Sequence, residues 1–332
     1  MPDQHAFSGE VAAVTLPFVS IIIPVKNEEK HIGRCLQALQ ALNYPDDKYE
    51  VIVVDNGSTD TTVAIASAAP KVRVLISTGN IGAVRNLGAK HGRGEVLAFL
   101  DGDCLVPAEW LNIALGTLCE KSNTTVCSAV LALEDRQQAP WVERYWIDYL
   151  NSKYHNTINI VPTISSFCFL VRRQSMAEVG WFNETLETCE DSDLGFRLAR
   201  DGRQLLSDRR IEVIHLGNAK TLRQFFLRQL WQGRANLKGL SKHGFELQEV
   251  PSVLVPILYL LGLAALPVML ITAPAIAVFA LLLALLLIPL VKATQSSHLC
   301  LWRMLPGYGF LWFVYLSGRG FGTLVKIGRT AK

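Results

Sequence analysis

The sequence predicts an α/β protein with a doubly wound, mostly parallel sheet, followed by a C-terminal transmembrane helical hairpin and a short apolar segment. Short apolar runs alternate with segments of helical periodicity over residues 19–100, which is typical of repeated βαβ units. Residues 251–291 then hold no charged side chain, and this stretch is about twice the roughly 20 residues that one spanning helix needs. Two spans with a turn near 272–274 fit it best.

Strands and helices are predicted to alternate through the N-terminal half. The strands are expected at 19–25, 51–54, 72–76 and 95–100, and the helices at 28–42, after a cap at Thr59 or Asp60, and at 81–91. Ligands of such sheets bind at the carboxyl ends of the strands. Four carboxylates from three strands are therefore expected to converge on one edge of the sheet: Glu28, Asp55, Asp101 and Asp103.

The remaining part before the apolar stretch is predicted to be less regular. Strands are expected at 125–133, 166–171 and 211–215, and helices at 107–120, 141–150, 174–179, 190–200 and 221–242. The helix at 190–200 begins with acidic side chains, which the helix macrodipole favours at that end. The helix at 221–242 combines basic and aromatic residues and is amphipathic.

The formal net charge of +3 conceals an uneven distribution. No acidic residue follows Glu249, whereas basic residues continue toward the C-terminus: Lys292, Arg303, Arg319, Lys326, Arg329 and Lys332. Basic segments beside apolar spans are typical of the cytoplasmic side of a membrane and suit anionic lipid headgroups. Because these charges interleave with apolar residues and form no groove-sized patch, we expect no nucleic-acid binding.

The cysteines and the N-terminus both indicate a reducing, cytoplasmic location for the soluble part. The seven cysteines are odd in number and show no C-x-x-C spacing, which argues against a disulfide framework or a zinc site. Free thiols are expected in a reducing compartment. The first residues also lack the basic-then-apolar pattern of a secretory signal peptide.

Two aspartates, Asp101 and Asp103, end the predicted strand at 95–100. Side chains alternate along an extended chain, so both carboxylates can point the same way, and Gly102 lets the backbone approach a ligand closely. Mg²⁺ and Mn²⁺ prefer such oxygen ligands and often bridge them to substrate phosphates. The tripeptide alone is weak, because most Asp-x-Asp sequences are solvated turns, but it predicts a divalent-cation site for nucleotide–diphosphate chemistry.

Five segments together identify a family resemblance. They are SIIIPVKNEE at 20–29, VVDNGSTD at 53–60, GAVRNLG at 82–88, FLDGD at 99–103 and CEDSDLGFRL at 189–198. In this order and spacing they resemble the membrane-anchored family 2 glycosyltransferases of non-processive type, which have the GT-A fold. The resemblance covers roughly residues 19–240. It implies an enzyme that binds a nucleotide sugar with a divalent cation, Mg²⁺ or Mn²⁺.

The resemblance also implies roles for single residues. The nucleotide-sugar site would comprise Pro24, Asn27, Glu28, Asp55, Arg85 and Asp101, and the metal ligands would be Asp101 and Asp103. The catalytic base would be Asp191, with Glu190 as second choice. Two local alternatives stay open. Asp55 could simply form an Asx turn. Arg85 could form a surface ion pair instead of binding a phosphate or the Asp101–Asp103 pair. Asp193 is expected to face away and pair with Arg197.

The segment QLWQGR at 229–234 departs from the Q-x-x-R-W signature of polymer synthases in this family, which argues against a processive synthase. Trp231 and Arg234 remain candidates for contact with the acceptor or the diphosphate, and Arg228 is an alternative to Arg234. An interfacial helix with aromatic and basic residues at the lipid headgroups is an equal alternative. His215 could line the site, although a lone histidine near a strand end is more often structural.

These inferences divide the chain into an N-terminal leader at 1–18, a GT-A domain at 19–245, two transmembrane helices at 251–291, and a basic tail at 292–332 with a re-entrant or third membrane segment. We expect an inverting transfer of sugar from a nucleotide-diphosphate donor to a membrane-associated, lipid-linked acceptor. The reaction would serve envelope polysaccharide or glycolipid synthesis at the inner face of the cell membrane, with the catalytic domain cytoplasmic.

Two other functions fit parts of the pattern. A sugar-phosphate nucleotidyltransferase shares a similar fold and metal site, but it should carry a Gly-rich basic loop after the first strand, where this chain reads KNEE. A non-catalytic membrane scaffold with a GT-A-like fold would be expected to have lost its carboxylates. The chain keeps all of them: Asp55, Asp101, Asp103 and Asp191.

Overall fold

The computed structural model describes residues 16–120, 124–242, 250–295 and 305–330. Within these ranges one sheet holds nine strands: β1 (Val19–Val25), β2 (Tyr49–Asp55), β3 (Val72–Ile76), β4 (Val96–Leu100), β5 (Cys104–Leu105), β6 (Thr124–Ala132), β7 (Ile158–Ile160), β8 (Cys168–Arg172) and β9 (Gln204–His215). The helices are α1 (Ile32–Gln40), α2 (Thr62–Ala68), α3 (Ile81–His91), α4 (Trp110–Glu120), α5 (Trp141–Asn151), α6 (Arg173–Glu178), α7 (Glu190–Arg200), α8 (Leu222–Lys242), α9 (Val250–Thr272), α10 (Ala275–Gln295) and α11 (Leu305–Thr330).

The strand order is β3-β2-β1-β4-β8-β6-β9-β5, and β7 also pairs with β9. The strands β1, β2, β3 and β4 pair in parallel, so their carboxyl ends meet at one edge. The sheet then becomes mixed, because β8 runs antiparallel to both β4 and β6. The predicted α/β class with a mostly parallel first half is therefore confirmed, and the antiparallel pairs belong to the less regular second half.

Apolar side chains of β1 build the core on both faces of the sheet. Ile21 and Ile23 join one cluster, whose helical side comes from α1 and α4 and includes Trp110. Ile22 points the other way into a second cluster with residues of α3 and α7, among them Val84. This alternation follows from the two-residue period of an extended strand. Because both faces are covered, the strand reads as a continuous apolar run in the sequence.

The first helix begins later than the sequence predicts, at Ile32 instead of residue 28. The reason lies in the backbone amides that precede it. The N–H of Asn27 donates to Ser58 Oγ at 2.8 Å, and the N–H of Glu28 donates to Thr62 Oγ1 at 2.7 Å. These side chains hold the segment after β1 in a non-helical conformation, which places Glu28 at the edge of the sheet instead of inside a helix.

The C-terminal helices contain one clear candidate for a membrane span. Among the described residues, only α9 is long and apolar enough to cross a bilayer, and 275–289 within α10 forms a shorter apolar stretch. Large apolar side chains of α9 are exposed, including Leu258 and Ile271. Exposed apolar surface of this kind marks lipid or protein contact. Most of the predicted leader, residues 1–15, lies outside the described ranges. The same holds for residues 296–304 and 331–332 of the predicted basic tail.

Helix α11 is continuous, whereas the sequence suggested an apolar segment of about 12 residues, short of a full span. Two of its glycines lie where it crosses α8 and α9. A Cβ on Gly322 would lie 3.0 Å from Gly233 Cα of α8, and a Cβ on Gly320 would lie 2.6 Å from the Pro256 carbonyl of α9. Small residues at such crossings let helix backbones pack closely. Helix α11 therefore packs between α8 and the apolar α9.

Gly88 provides a test of the packing between α3 and the sheet. A Cβ at this position would lie 2.5 Å from Ile22 Cγ2 and 2.9 Å from Val54 Cγ2, both in the core. We expect Gly88→Ala to lower the free energy of unfolding by about 1–3 kcal/mol, measured by urea denaturation in detergent with tryptophan fluorescence.

The matched control for this substitution is Gly116→Ala in α4, where no described atom lies within 4 Å of the added Cβ. The higher helix propensity of alanine should there be neutral or stabilising, by up to about 1 kcal/mol. Equal effects of the two substitutions would show that α3 does not pack as tightly as described.

Candidate active site

The loops that follow β1 and β2 are bonded to each other. Asn27 has φ 56°, in the left-handed region that asparagine tolerates, and its Oδ1 accepts the Thr59 N–H at 2.8 Å. Asp55 is buried, and its carboxylate accepts the N–H groups of Gly57 and Ser58, each at 3.0 Å. The Asx turn left open by the sequence is therefore present. It does not exclude a ligand, because a carboxylate offers about four acceptor positions.

The predicted nucleotide residues lie on the same edge as the aspartates of β4. Pro24 is buried in β1 beside Val54 of β2, one residue before the strand ends. A Cβ on Gly102 would lie 3.7 Å from Glu28 Cγ, so Glu28 sits directly over the Asp101–Asp103 segment. Burial raises the pKa of Glu28. The hydrogen bond with His31 lowers this pKa, whereas the charges of Asp103 and Asp101 raise it. The expected convergence is thus present for Glu28, Asp101 and Asp103.

Arg85 of α3 connects this edge to α7. Its side chain is 3% exposed, its Nη2 donates to Asp101 Oδ1 at 3.1 Å, and its Nη1 donates to Glu190 Oε1. The guanidinium carbon also lies 5.7 Å from the centroid of the Phe182 ring. Burial disfavours its charge, but Asp101, Glu190 and Asp191 outweigh this and raise the pKa of Arg85. Arg85 therefore does not form the surface ion pair that the sequence left open. It pairs instead with Asp101 of the Asp101–Asp103 segment.

Glu190 and Asp191 begin α7 in different environments. Glu190 is 5% exposed and held by Arg85, and burial together with the charge of Asp191 raises its pKa. Asp191 is half-buried, with Oδ2 accepting the Ser166 N–H at 3.1 Å and Oδ1 accepting the Ser192 N–H at 2.7 Å. Cys189 precedes them at φ 64°, a strained conformation of the kind that concentrates at functional sites. The expected pair of Asp193 with Arg197 is also present, at 2.6 Å.

Asp103 meets a histidine that the sequence alone ranked as more often structural. The short strand β5 pairs with β9 so that Cys104 lies opposite His215. His215 Nδ1 is then 3.4 Å from Asp103 Oδ2. The ligand atoms of Asp103, Cys104 and His215 all lie within 4.8 Å of one another. Only the strand pairing brings these residues together, and β5 is too short to be recognised from the sequence.

The donor set fits a divalent cation. The Nδ1 of His215 is buried and has no hydrogen-bond partner among the described residues, so an unused nitrogen faces a carboxylate. Carboxylate and imidazole together suit ions such as Mn²⁺. Burial, with the charges of Asp101 and Asp103, raises the pKa of the Cys104 thiol well above its usual range. Cys104 is the weakest donor of the three for Mg²⁺ or Mn²⁺, because these ions favour oxygen ligands whereas thiolates suit softer metals.

A hollow of about 360 Å³ lies beside the metal candidates, with Gly217 in its wall. A Cβ on Gly217 would collide with the Asp103 carboxylate, which explains why glycine occupies this position. Basic side chains line the hollow: Lys30, Lys220 and Arg228. Arg228 is the alternative diphosphate contact suggested by the sequence, whereas Lys30 and Lys220 were not singled out there.

The described contacts do not bring Trp231 or Arg234 to the carboxylates. Trp231 is 56% exposed, and Arg234 is exposed on the same helix, α8. The buried face of α8 instead carries two glutamines that bind α11: Arg319 donates to Gln229 Oε1 at 3.0 Å and to Gln232 Oε1 at 2.8 Å. The roles of Trp231 and Arg234 in acceptor or diphosphate binding stay predictions.

Comparison with known proteins gives the family. Residues 20–180 match the model described as Glycosyl transferase family 2. Glycosyltransferase AglE of Haloferax volcanii is 47% identical over 110 residues, which cover 31% of this chain and 36% of that protein. The beta-monoglucosyldiacylglycerol synthase of Synechocystis sp. is 34% identical over 204 residues, covering 58% and 42%. The chain thus spans less than half the length of these relatives.

A solved structure gives the fold. The mannosyltransferase PcManGT from Pyrobaculum calidifontis, in complex with GDP-Man and Mn²⁺, aligns with a TM-score of 0.66 at 19% identity. The alignment covers 94% of this chain and 88% of that one. The family match and the named relatives favour glycosyl transfer over the nucleotidyltransferase and scaffold alternatives. Residues 20–180 therefore form a Glycosyl transferase family 2 domain, and the chain has the GT-A fold.

Proposed function

We propose that this enzyme transfers a sugar, with inversion, from a nucleotide-diphosphate donor to a membrane-held, lipid-linked acceptor. The observation that carries the proposal is the double ion pair of Arg85 with Asp101 and Glu190. It ties the aspartate segment after β4 to the carboxylates of α7, so donor binding and proton removal share one site. Support for the donor class comes from PcManGT, whose structure contains GDP-Man and Mn²⁺.

The donor lies, in this proposal, along the carboxyl edge of β1, β2 and β4. Pro24, Asn27, Glu28 and Asp55 surround the base and ribose, and the diphosphate extends toward Asp101 and Asp103. Carboxylate oxygens suit base N–H groups and ribose hydroxyls as acceptors. The basic hollow beside Gly217 supplies positive charge near the phosphates, through Lys30, Lys220 and Arg228.

Asp103 and His215 would hold the divalent cation, with Asp101 as the further carboxylate near it. When bound, the cation supplies charge neutralisation of the departing diphosphate. Asp101 contributes less directly, because Arg85 already engages one of its oxygens at 3.1 Å. Asp103 and His215 would therefore bind the ion, whereas Asp101 fixes the position of Arg85.

Asp191 is the better base of the two carboxylates that begin α7. Glu190 is held by Arg85 and is almost fully buried, so it is not free to accept a proton from a substrate. Asp191 is more accessible and is oriented by the Ser166 N–H. It removes the proton of the acceptor hydroxyl while the oxygen attacks the anomeric carbon and the diphosphate leaves on the opposite side. One direct displacement with one base inverts the anomeric centre.

The membrane location rests on α9 and on the relatives. Helix α9 is long and apolar enough to span a bilayer, and α11 connects it to the catalytic domain. The Synechocystis relative is named as a synthase of a glucosylated diacylglycerol. We infer a role in envelope polysaccharide or glycolipid synthesis, with the site at the cytoplasmic face of the cell membrane and α10 as the second span.

Asp191→Asn is expected to lower kcat for transfer by about 10²–10⁴-fold, because the general base is lost. Nucleotide affinity, measured by calorimetry, should stay within about twofold of the original. The matched control is Asp201→Asn at the exposed end of the same helix, which should keep full activity. If Asp191→Asn turns over normally while Glu190→Gln does not, the roles of the two residues are reversed.

His215→Ala is expected to weaken Mn²⁺ binding by about tenfold or more, measured by titration with electron paramagnetic resonance detection. Chelation should abolish transfer, and added Mn²⁺ or Mg²⁺ should restore it. Cys104→Ala should keep the affinity for Mn²⁺, because this ion favours oxygen ligands over a soft sulfur ligand. A loss of affinity in Cys104→Ala alone would identify a thiolate ligand and contradict the assignment.

Arg85→Met is expected to lower the free energy of unfolding by about 3 kcal/mol or more, because it leaves the buried Glu190 and the partly exposed Asp101 without their partner. Arg34→Met, which removes a surface pair with Glu134 at 2.5 Å, should lower it by less than about 1 kcal/mol. Urea denaturation of both variants compares the two effects.

The Arg85→Met penalty should also depend on pH. Burial raises the pKa of Asp101 and Glu190, and Arg85 opposes this rise. Without Arg85 both native pKa values increase further, so the native state holds protons that the unfolded chain has released. The free energy of unfolding then falls as pH rises, and the penalty is larger at about pH 8 than at about pH 5. A penalty that is larger at the lower pH would contradict this account.

A further inference from the structure

Helix α3 and the residue that caps it bond to the chain leading into α7 through three polar side chains. Arg85 binds Glu190 at the start of α7. Asn80 and Asn86 bond to the segment 182–186, which ends four residues before Glu190. Asn86 lies in the sequence GAVRNLG, in which the family resemblance assigned a role to Arg85 alone. The two asparagines therefore contact the approach to the proposed base and have no part in the site as assigned.

Asn86 is buried and forms three hydrogen bonds with this segment. Its Oδ1 accepts the Phe182 N–H at 3.0 Å, and its Nδ2 donates to the Phe182 carbonyl at 2.9 Å. The same Nδ2 donates to Glu184 Oε1 at 2.8 Å. An amide offers a donor and an acceptor side by side, so it satisfies both backbone groups of one residue, whereas a carboxylate of the same shape lacks the donor.

Asn80 bonds to the same segment from the N-terminus of α3. Its Oδ1 caps the helix by accepting the Ala83 N–H at 3.0 Å. Its Nδ2 donates to the Leu186 carbonyl at 2.9 Å and to the Glu184 carbonyl. The cap and the contact with the segment use different atoms of Asn80, so a single substitution can remove the second and keep the first.

These bonds fix both ends of the chain that leads to the base. The asparagines hold residues 182–186, and Arg85 of the same helix holds Glu190. Between these points Cys189 has φ 64°, a conformation that persists only where its surroundings determine it. Asp191 follows directly, so the position of its carboxylate depends on how this chain is held against α3.

We propose that Asn80 and Asn86 are positioning residues for Asp191, because they hold the segment 182–186 against α3 and so place the Asp191 carboxylate for proton removal. The inference rests on the proposed function, which makes Asp191 the base. The asparagines act through the backbone of the segment and not through contact with a substrate. A displacement of about 1 Å can cost about a hundredfold in rate, so the effect belongs in kcat.

Asn80→Asp is the variant that tests this inference. Aspartate caps a helix as well as asparagine does, but it cannot donate to the carbonyls of the segment. We expect kcat to fall by about 10–100-fold, measured as release of UDP or GDP from nucleotide sugars by membranes that contain the full chain. The affinity for UDP or GDP with Mn²⁺ should stay within about twofold of the wild type. Asn86→Asp, which loses both of its donated bonds, should lower kcat at least as much.

The matched control is Asn112→Asp in α4. The amide of Asn112 is exposed and donates to the Asn43 carbonyl at 2.7 Å and to Glu109 Oε2 at 2.9 Å. The same chemical change is thus made at a position that does not bond to the chain before α7, and kcat should be unchanged.

A role in folding alone is separated from positioning by combining Asn80→Asp with Asp191→Asn. If Asn80 acts through Asp191, the double variant should keep the residual kcat of Asp191→Asn within about threefold, because a base that is absent cannot be misplaced. An equal loss of kcat in both backgrounds would overturn the inference. Urea denaturation identifies the variants that are folded and can be compared.

The proposed function and this inference fail in different ways. If the wild type releases neither UDP nor GDP from any nucleotide sugar, the proposed transfer is refuted. If Asp191→Asn is fully active, the assigned base is wrong, and the inference falls with it. If Asp191→Asn is inactive but Asn80→Asp turns over as fast as the wild type, only the role of the asparagines is overturned.

Discussion

The ion pairs of Arg85 are the interaction on which the rest of the site depends. Three elements that are distant in sequence, α3, β4 and α7, meet at this guanidinium. Burying one cation between Asp101 and Glu190 is favourable only because both partners are present, since an unpaired buried charge costs several kcal/mol. The same interaction separates the two carboxylates of α7, because it holds Glu190 in place and leaves Asp191 accessible. The ion pairs of Arg85 therefore stabilise the fold and also set the proposed roles of Glu190 and Asp191.

Most of the first half of the fold could be predicted from the sequence because β1, β2 and β4 are largely buried on both faces and read as apolar runs followed by polar turns. The edge strand β3 is partly exposed, but its alternating apolar residues also indicated a strand with the observed bounds. Helix α1 was placed too early because its preceding amides bond to Ser58 and Thr62, a contact between segments about 30 residues apart. Sequence periodicity reports local tendencies and contains no information on such partners.

The candidate site shows the same limit. Asp101, Asp103 and Asp191 were recognisable because they lie within segments that resemble a family. His215 was weighted as structural, since its approach to Asp103 depends on β5, a strand of two residues. Trp231 and Arg234 attracted attention by residue type, yet the buried face of their helix binds α11 through Gln229 and Gln232.

The glycine contacts of α11 have a consequence for substrate selection. The backbones of α8 and α11 are in contact at Gly233 and Gly322, and Gly320 of α11 packs against Pro256 of α9, so α11 links α8 closely to α9. In the proposed membrane location, with α9 embedded in lipid, the carboxylate edge stands at a constant height above the bilayer. An acceptor must then present its hydroxyl at that height, so the length of its polar headgroup becomes a criterion of recognition. In this proposal the membrane anchor selects acceptors by the length of their headgroups and also holds the enzyme at the bilayer.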